Sequence, residues 1–412
     1  MSPASKDTDV VIVGAGLTGL RAALEISRAG VSVLVVEREA SVGGRIRSSR
    51  VDGFTLDHGF QVLLSGYPEL ATIPALTPLG CKAFTPGARI RLDGKNYDLI
   101  DPRHKPSSAL RSLFSPIVSL RDLARLACMI IGAPKNLAAP CGHSTSDYLT
   151  KRGFSQLFRG AFLEPFLRGV LLDAQLTSDA RLARFYLKVF SRGKAMLPEQ
   201  GMQAFPELLA TALGREHIML NSPVAHLRPD RVVLASGEEI RARRVICATD
   251  ALSAAALGGP AQTSPHHGTV TFYFGANRPP YTEPLLMLNG DGRGPINNLS
   301  VVSNVQPSYA PPGKALICAS IVGSEANRPA SELEERVRLQ LHEWFGSETT
   351  EWTTLKVFSV PSALPACPRV SAGFKDVDGV IYAGDYLSYG SQNGALAAGR
   401  AVGAAVVMDE LV

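Results

Sequence analysis

The 412-residue chain has no C-x-x-C pair, and its six cysteines (Cys81, Cys128, Cys141, Cys247, Cys318 and Cys367) are widely scattered. That spacing builds neither a disulfide framework nor a zinc site, so a reducing compartment is expected. No apolar run reaches the 18 to 20 residues that a spanning helix needs. No secretory leader opens the chain, and its start, MSPASKDTD, mixes both charge signs without an apolar core. These absences predict a cytoplasmic protein with a short disordered leader. The formal charge of +5 is mild and dispersed, with no basic run interleaved with aromatics, which argues against a nucleic-acid partner. The histidines, including His266 and His267, lack metal-ligand spacing, so no metal is expected.

Hydrophobic residues make up 45% of the chain and charged residues 19%, a balance that supports a folded core without staples. The length predicts two or three units. One local bias is visible. Between Arg103 and Lys135 six basic residues face one acid, Asp122, and apolar residues recur at helical spacing (Leu110, Leu113, Phe114, Ile117, then Leu120, Leu123, Leu126, Ile130). Two readings stand: a core-facing helix pair with a solvated basic side, or a surface that rests on an anionic membrane or admits an apolar substrate.

The most informative stretch is the first 45 residues. Asp9 to Val13 (DVVIV) is a buried-strand pattern that runs into Gly14-Ala15-Gly16-Leu17-Thr18-Gly19. A helix from Leu17 to about Ala29 follows, closed by Gly30, and Val31 to Val36 forms a second strand ending in Glu37. Gly14 permits the turn, Gly16 lets amides approach a pyrophosphate, and Gly19 lets the helix lie close on the sheet. Leu17 and Thr18 open the helix whose free N–H groups and positive dipole end face the phosphates. Glu37, 23 residues beyond Gly14, suits ribose hydroxyls and repels a 2′-phosphate, and Arg38 follows it. A lone G-x-G-x-x-G is weak; strand, helix and acid at these intervals make it a dinucleotide site.

Five residues after Glu37 the chain reads Gly43-Gly44-Arg45. With Gly14, Gly16, Gly19, Ala23, Gly30, Val33 and Glu37, this resembles the N-terminal signature of the FAD-dependent amine oxidase, phytoene desaturase and protoporphyrinogen oxidase superfamily. The resemblance implies FAD, with Gly43 and Gly44 beside the pyrophosphate and Arg45 neutralising phosphate, roles that suit paired glycines and arginine chemically. Near the other end a strand runs into Gly384-Asp385, then a loop and a Gly/Ala-rich helix from about Asn393 to Val407. It is similar to the superfamily's C-terminal flavin signature. By that likeness Asp385 would bind the ribityl or pyrophosphate region, and amides of Asn393, Gly394 and Ala395 would face the flavin. A helix N-terminus there stabilises the negative charge of reduced flavin. Leu197 to Pro206 resembles the superfamily's P-x-G-G-M return segment, and Val224 would touch adenine through its backbone. A hairpin (Arg231 to Leu234, turn at Ser236-Gly237, then Glu239 to Ile240) leads to the strand Val245 to Thr249.

The expected fold is therefore α/β: a Rossmann-like FAD-binding domain of the glutathione reductase type, from 1–65, 195–251 and 370–412. A discontinuous mixed α+β substrate domain would come from 66–194, read as mostly helical, and 252–369, read as strands. Asp57-His58-Gly59-Phe60-Gln61 resembles the squalene and carotenoid desaturase branch, which makes His58 and Gln61 substrate-side candidates; His58 could equally be a satisfied structural histidine. Tyr273 and Tyr389 are the aromatic candidates. Amine oxidases of the superfamily place a lysine on the strand that corresponds to His266 to Phe274, and an aromatic residue where Ser391 falls; this chain has neither, though Tyr389 could substitute for the latter. The resemblance implies hydride removal from a substrate carbon to flavin N5: desaturation of a largely apolar small organic molecule first, C–N oxidation with peroxide second. A redox-neutral isomerase or flavin-binding scaffold is the third reading. The electron acceptor would be oxygen, a quinone or a carrier.

Overall fold

The computed structural model describes residues 6–73, 75–101, 103, 115–134, 137, 142–260, 266–366 and 372–410. The N-terminal apolar run forms strand β1 (Lys6–Val13), followed by helix α1 (Leu17–Arg28) and strand β2 (Val33–Val36). β1 lies parallel to β2 on one side and to the strand Glu239–Cys247 on the other, with Val13 opposite Val36 and Cys247. Ile218–Met219 extends the β2 edge in parallel. Glu239–Cys247 is one continuous strand: its first half pairs with Arg231–Leu234, and its last three residues pair in parallel with Val380–Ala383. Segments from the start, middle and end of the chain thus share one eight-stranded sheet. Because the central strands are parallel, the turns after Val13, Cys247 and Ala383 open at the same edge, where open α/β sheets bind ligands.

The C-terminal helix Gln392–Glu410 packs along α1. Its small residues allow that approach: a Cβ at Gly399 would overlap the Thr18 carbonyl, and one at Gly403 would lie 2.7 Å from the Glu25 Cβ. Thr18 Oγ1 donates to the Ala395 carbonyl at 3.1 Å across the same seam. Gly399→Val is expected to force the helices apart and destabilise the fold by about 1–3 kcal/mol, the range for overpacking, read as a lower thermal midpoint.

A second sheet of seven strands runs in the order Thr353–Pro365, His266–Ala276, Ala315–Val322, Asn298–Val301, Leu286–Asn289, Gly87–Leu92 and Lys95–Ile100. Helix Ala330–Phe345 buries Leu333, Val337 and Leu341 with Phe272 and Phe274 of this sheet. Its last two strands correct the expectation that 66–194 is mostly helical. Gly87–Leu92 and Lys95–Ile100 form a hairpin, closed by Asp93 (φ 48°) and Gly94 (φ 71°). Asp-Gly with both φ positive is the two-residue turn whose twist matches paired strands. Among the described residues of that segment the α- and π-helical stretches are Leu120–Ile131, Thr145–Lys151, Gln156 to Leu171 and Ala180–Arg192, with short 3-10 turns at Pro68–Thr72 and Thr77–Leu79. Of the expected helix pair, 104–114 lies outside the described residues, as do residues 1–5 of the leader and Cys141 and Cys367. Among the described residues no helix is long and apolar enough to cross a membrane.

Candidate functional site

A cavity of about 1530 Å³ opens where the two sheets meet, lined from Gly14 and Gly16 at one end to Phe166 and Phe190 at the other. The glycine loop forms its floor. Gly14 N–H donates to the Val36 carbonyl at 2.8 Å, which ties the turn to β2. A Cβ at Gly19 would overlap the Gly14 carbonyl oxygen, so glycine is what seats α1 against the strand end. At Gly16 a Cβ would meet nothing within 4 Å, because that position faces the open cavity. The second pair lies over the first: a Cβ at Gly44 would sit 3.5 Å from the Gly16 Cα, and Gly43 holds φ 120°. Leu17, Thr18 and Val224 line the same end.

Glu37 is 7% exposed and stands on the wall. One carboxylate oxygen accepts the Ala15 amide at 2.7 Å and the other the Glu39 amide at 3.0 Å. Each keeps a lone pair for a further donor, so the acid both shapes the loop and stays on the wall. Arg38 projects alongside, with its side chain 62% exposed and its Nε 3.4 Å from Glu39. Arg45 Nη2 pairs with the buried Asp385 at 2.6 Å, and its Nη1 donates to the Ala363 carbonyl at 2.9 Å. This pair joins the Gly-Gly-Arg turn to the Gly384-Asp385 turn, 340 residues apart in sequence.

At the start of the Gln392 helix the geometry corrects two expectations, those for the Gly394 and Ala395 amides. The Gly394 amide donates to Ser391 Oγ (2.8 Å) and the Ala395 amide to the Ser391 carbonyl (2.9 Å), so neither is free to face a ligand. Asn393 turns its side chain into the protein: Nδ2 donates to the Tyr389 hydroxyl and Oδ1 accepts the Glu69 amide at 3.1 Å. Ser391 and Gln392 occupy the wall instead, with the Ala395 side chain. Ser391 is the helix N-cap in effect, which leaves the Gln392 and Asn393 amides without partners among the described residues. Gln392 Nε2 donates to the Val62 carbonyl at 3.2 Å, while its buried Oε1 has no hydrogen bond. An orphaned acceptor costs about 1–3 kcal/mol unless a ligand donor meets it. The glycine-floored groove, the anion-ready helix ends and this acceptor fit a flavin dinucleotide.

Of the four substrate-side candidates, His58 and Gln61 line the cavity; Tyr273 and Tyr389 do not. Tyr273 is 2% exposed within its strand and donates to the Gly59 carbonyl at 3.3 Å. Inward-facing residues alternate along a strand, and the period puts Tyr273 on the face packed against Leu56 and Tyr309. Tyr389 packs edge-on against Phe185, with ring centroids 5.6 Å apart. His58 stacks on Phe358 at 4.5 Å, and its Nε2 lies 2.7 Å from Ser49 Oγ. Burial, then Arg47 and Lys356, lowers its pKa below the usual histidine value, which favours the neutral ring. Gln61 Nε2 donates to the Arg45 and His58 carbonyls, both at 3.1 Å, and so braces the loop.

Sequence reading missed the cavity's far wall. Phe154, Phe158, Phe162 and Phe166 form a ladder with successive centroids 5.8, 5.3 and 6.0 Å apart, and Phe190 meets Phe166 at 5.0 Å. Four-residue spacing is a helical stripe, and that signal was present in the sequence. The stripe stays aligned because Arg159–Leu163 is a π-helical turn. It underwinds the helix where a regular one would carry each fourth residue roughly 40° onward. Tyr67 and Tyr186 also line the cavity, and the Tyr186 hydroxyl donates to the Gly390 carbonyl at 3.0 Å.

Behind the wall lies Asp57, buried and outside the cavity lining. It accepts from Ser48 Oγ (2.5 Å), the Met202 amide (2.8 Å) and the Tyr309 hydroxyl (3.0 Å). Burial outweighs these bonds and raises its pKa to about 6.

The profile of the family described as flavin containing amine oxidoreductase matches residues 17–407. Carotenoid phi-ring synthase of Streptomyces griseus is 26% identical over 247 residues, 53% of this chain and 47% of that protein. A probable flavin-containing monoamine oxidase A of Dictyostelium discoideum is 27% identical over 251 residues, 54% of this chain and 52% of that protein. The chain thus spans about half the length of these curated relatives. The crystal structure of an oxidoreductase from Methanosarcina mazei superposes with a TM-score of 0.75 at 20% identity, covering 98% of this chain and 99% of that one. At that identity the likeness is one of fold.

Proposed function

Because the chain belongs to the flavin-containing amine oxidoreductases and is an FAD-dependent oxidoreductase, we propose that it dehydrogenates a largely apolar organic substrate. FAD, when bound, would supply the two-electron acceptor for hydride removal from a substrate carbon. The chain's own residues bind, orient and exclude water. Gly14, Gly16, Gly19, Gly43 and Gly44 make room for the pyrophosphate, Glu37 meets the ribose, and Arg45 supplies charge at the phosphates. Asp385 holds Arg45 in place at 2.6 Å. The free amides at the start of the Gln392 helix favour negative charge on the reduced ring.

The observation that carries the substrate reading is the wall formed by residues 118–170. Each residue this stretch contributes to the cavity, including Leu126, Ile130, Phe158, Phe162, Phe166 and Val170, is apolar or glycine. Such a surface offers burial without partners for a charged ammonium. His58, on the cavity wall and bonded to Ser49, is placed to orient a substrate. The names of the two curated relatives, a carotenoid synthase and a monoamine oxidase, span the two chemistries that the measurement must separate.

The first measurement is reoxidation of the photoreduced protein on mixing with oxygenated buffer. Slow recovery of the flavin spectrum is expected, because electrons would pass to a quinone or carrier. Fast recovery with stoichiometric peroxide overturns dehydrogenation in favour of C–N oxidation. In parallel, anaerobic bleaching of the flavin by unsaturated hydrocarbons is expected where amines give none. Phe166→Asp should retain flavin and raise the apparent KM for such substrates at least tenfold, the effect of about 1.5–3 kcal/mol of lost apolar burial.

A further inference from the structure

The helix Leu120–Ile131 presents apolar residues on its outward face as well as its inward one. Its N-terminus is closed by a reciprocal box between Ser119 and Asp122, and Asp122 also accepts the Ser155 amide at 2.8 Å. Asp122 and Met129 face inward and are fully buried. On the opposite side Leu120 is 74% exposed, Leu123 40% and Ile131 81%, with Ala124 and Ala127 exposed between them. At 3.6 residues per turn these five positions fall within an arc of roughly 100°. The segment tied to Asp122 through Ser155 adds Leu157, 39% exposed. Four of the seven large apolar side chains exposed among the described residues therefore share one corner of the molecule.

Two further observations say what covers this corner. First, Leu123, Ala127 and Ile131 belong both to the exposed stripe and to the rim of the apolar cavity. Whatever covers the stripe also borders the cavity mouth, so a permanently docked protein would obstruct it. Second, the surround is basic. Arg121, Arg125, Lys151 and Arg152 lie on the same helix or the adjoining segments, against Asp147 and the buried Asp122, while Arg159 is offset by its ion pair with Glu164 at 3.1 Å. A second copy on a two-fold axis would set these like charges against themselves. An anionic lipid surface meets both the apolar stripe and the charge.

We propose that this corner rests on an anionic lipid bilayer, and that an apolar substrate passes from the acyl layer between Leu123 and Ile131 into the cavity. The substrate half rests on the dehydrogenation reading above; the lipid half is measured without turnover. The test is cosedimentation of the purified flavin-loaded protein with vesicles of phosphatidylcholine alone or with about a third phosphatidylglycerol. Binding to the mixed vesicles is expected, several-fold stronger than to neutral ones and weakened by salt. Leu120 and Leu157 lie outside the cavity lining, so L120E/L157E should keep the flavin spectrum and the thermal midpoint. That variant should lower the partition coefficient about tenfold or more. No binding above the neutral-vesicle level, or a double variant that binds as the parent does, overturns the proposal. So does a concentration-dependent dimer in sedimentation that the double variant abolishes, since the stripe would then be a self-interface. None of these outcomes depends on whether hydrocarbons or amines reduce the flavin.

Discussion

Gly19→Ala is expected to purify without flavin and with a lowered thermal midpoint. The added methyl would overlap the Gly14 carbonyl oxygen. That oxygen belongs to backbone that cannot yield, because the Gly14 amide is held to the Val36 carbonyl at 2.8 Å. The helix must move instead, and α1 is anchored to the C-terminal helix through Thr18 and the Gly399 contact. The displacement costs about 1–3 kcal/mol as overpacking and misplaces the helix N-terminus that faces the phosphates. Gly16→Ala is the informative companion. Its methyl enters open space, and the residue sits at φ −74°, where alanine is at ease. The apoprotein should keep its stability within about 0.5 kcal/mol, as a surface change does, yet bind FAD at least tenfold more weakly. The readouts are the flavin-to-protein absorbance ratio and calorimetry of the apoprotein. Flavin content like the parent's in Gly16→Ala would sink the assignment of this groove to the pyrophosphate.

The second large effect belongs to Asp57. Asp57→Ala removes the acceptor for Ser48, the Met202 amide and the Tyr309 hydroxyl together. Stranding three buried donors costs about 3 kcal/mol or more. Asp57→Asn can keep all three, since Oδ1 accepts from Ser48 and Met202 and Nδ2 donates to the Tyr309 oxygen. The two variants therefore separate hydrogen bonding from charge. The pH dependence follows from the raised pKa. In the folded protein Asp57 titrates near 6, above its ordinary 3.8. The protonated form is favoured by folding, so its contribution is fully present below about pH 4 and is lost as pH rises through 6. Relative to the parent, Asp57→Asn should gain about 2–3 kcal/mol between pH 4 and pH 7.5, measured by denaturant titration at each pH. A difference that stays flat across that window refutes a raised Asp57 pKa.

What the sequence by itself determined is the cofactor end. Gly14, Gly16, Gly19, Glu37, Gly43, Gly44 and Arg45 lie in the first 45 residues, and their spacing encodes a strand, a turn and a helix start. Such geometry is set by backbone torsions and short-range sterics, which a local pattern carries. The Asp93-Gly94 hairpin and the phenylalanine stripe were legible in the same way, though the sequence reading of 66–194 passed over both. Other features belong to the tertiary structure. Whether Tyr389 or Ser391 faces the cavity depends on the phase of a helix start, and Asn393 turned inward because Tyr389 and Glu69 were there to bind it. Tyr273 shares its strand face with Thr269, which lines the cavity, but is kept out of the lining by its packing with Leu56 and Tyr309 and its bond to the Gly59 carbonyl. The pairing of Gly87–Leu92 with Leu286–Asn289 in parallel, and of Arg45 with Asp385, joins residues some 200 and 340 positions apart. No local pattern specifies such partners; burial of the two sheets and the space left between them selects them.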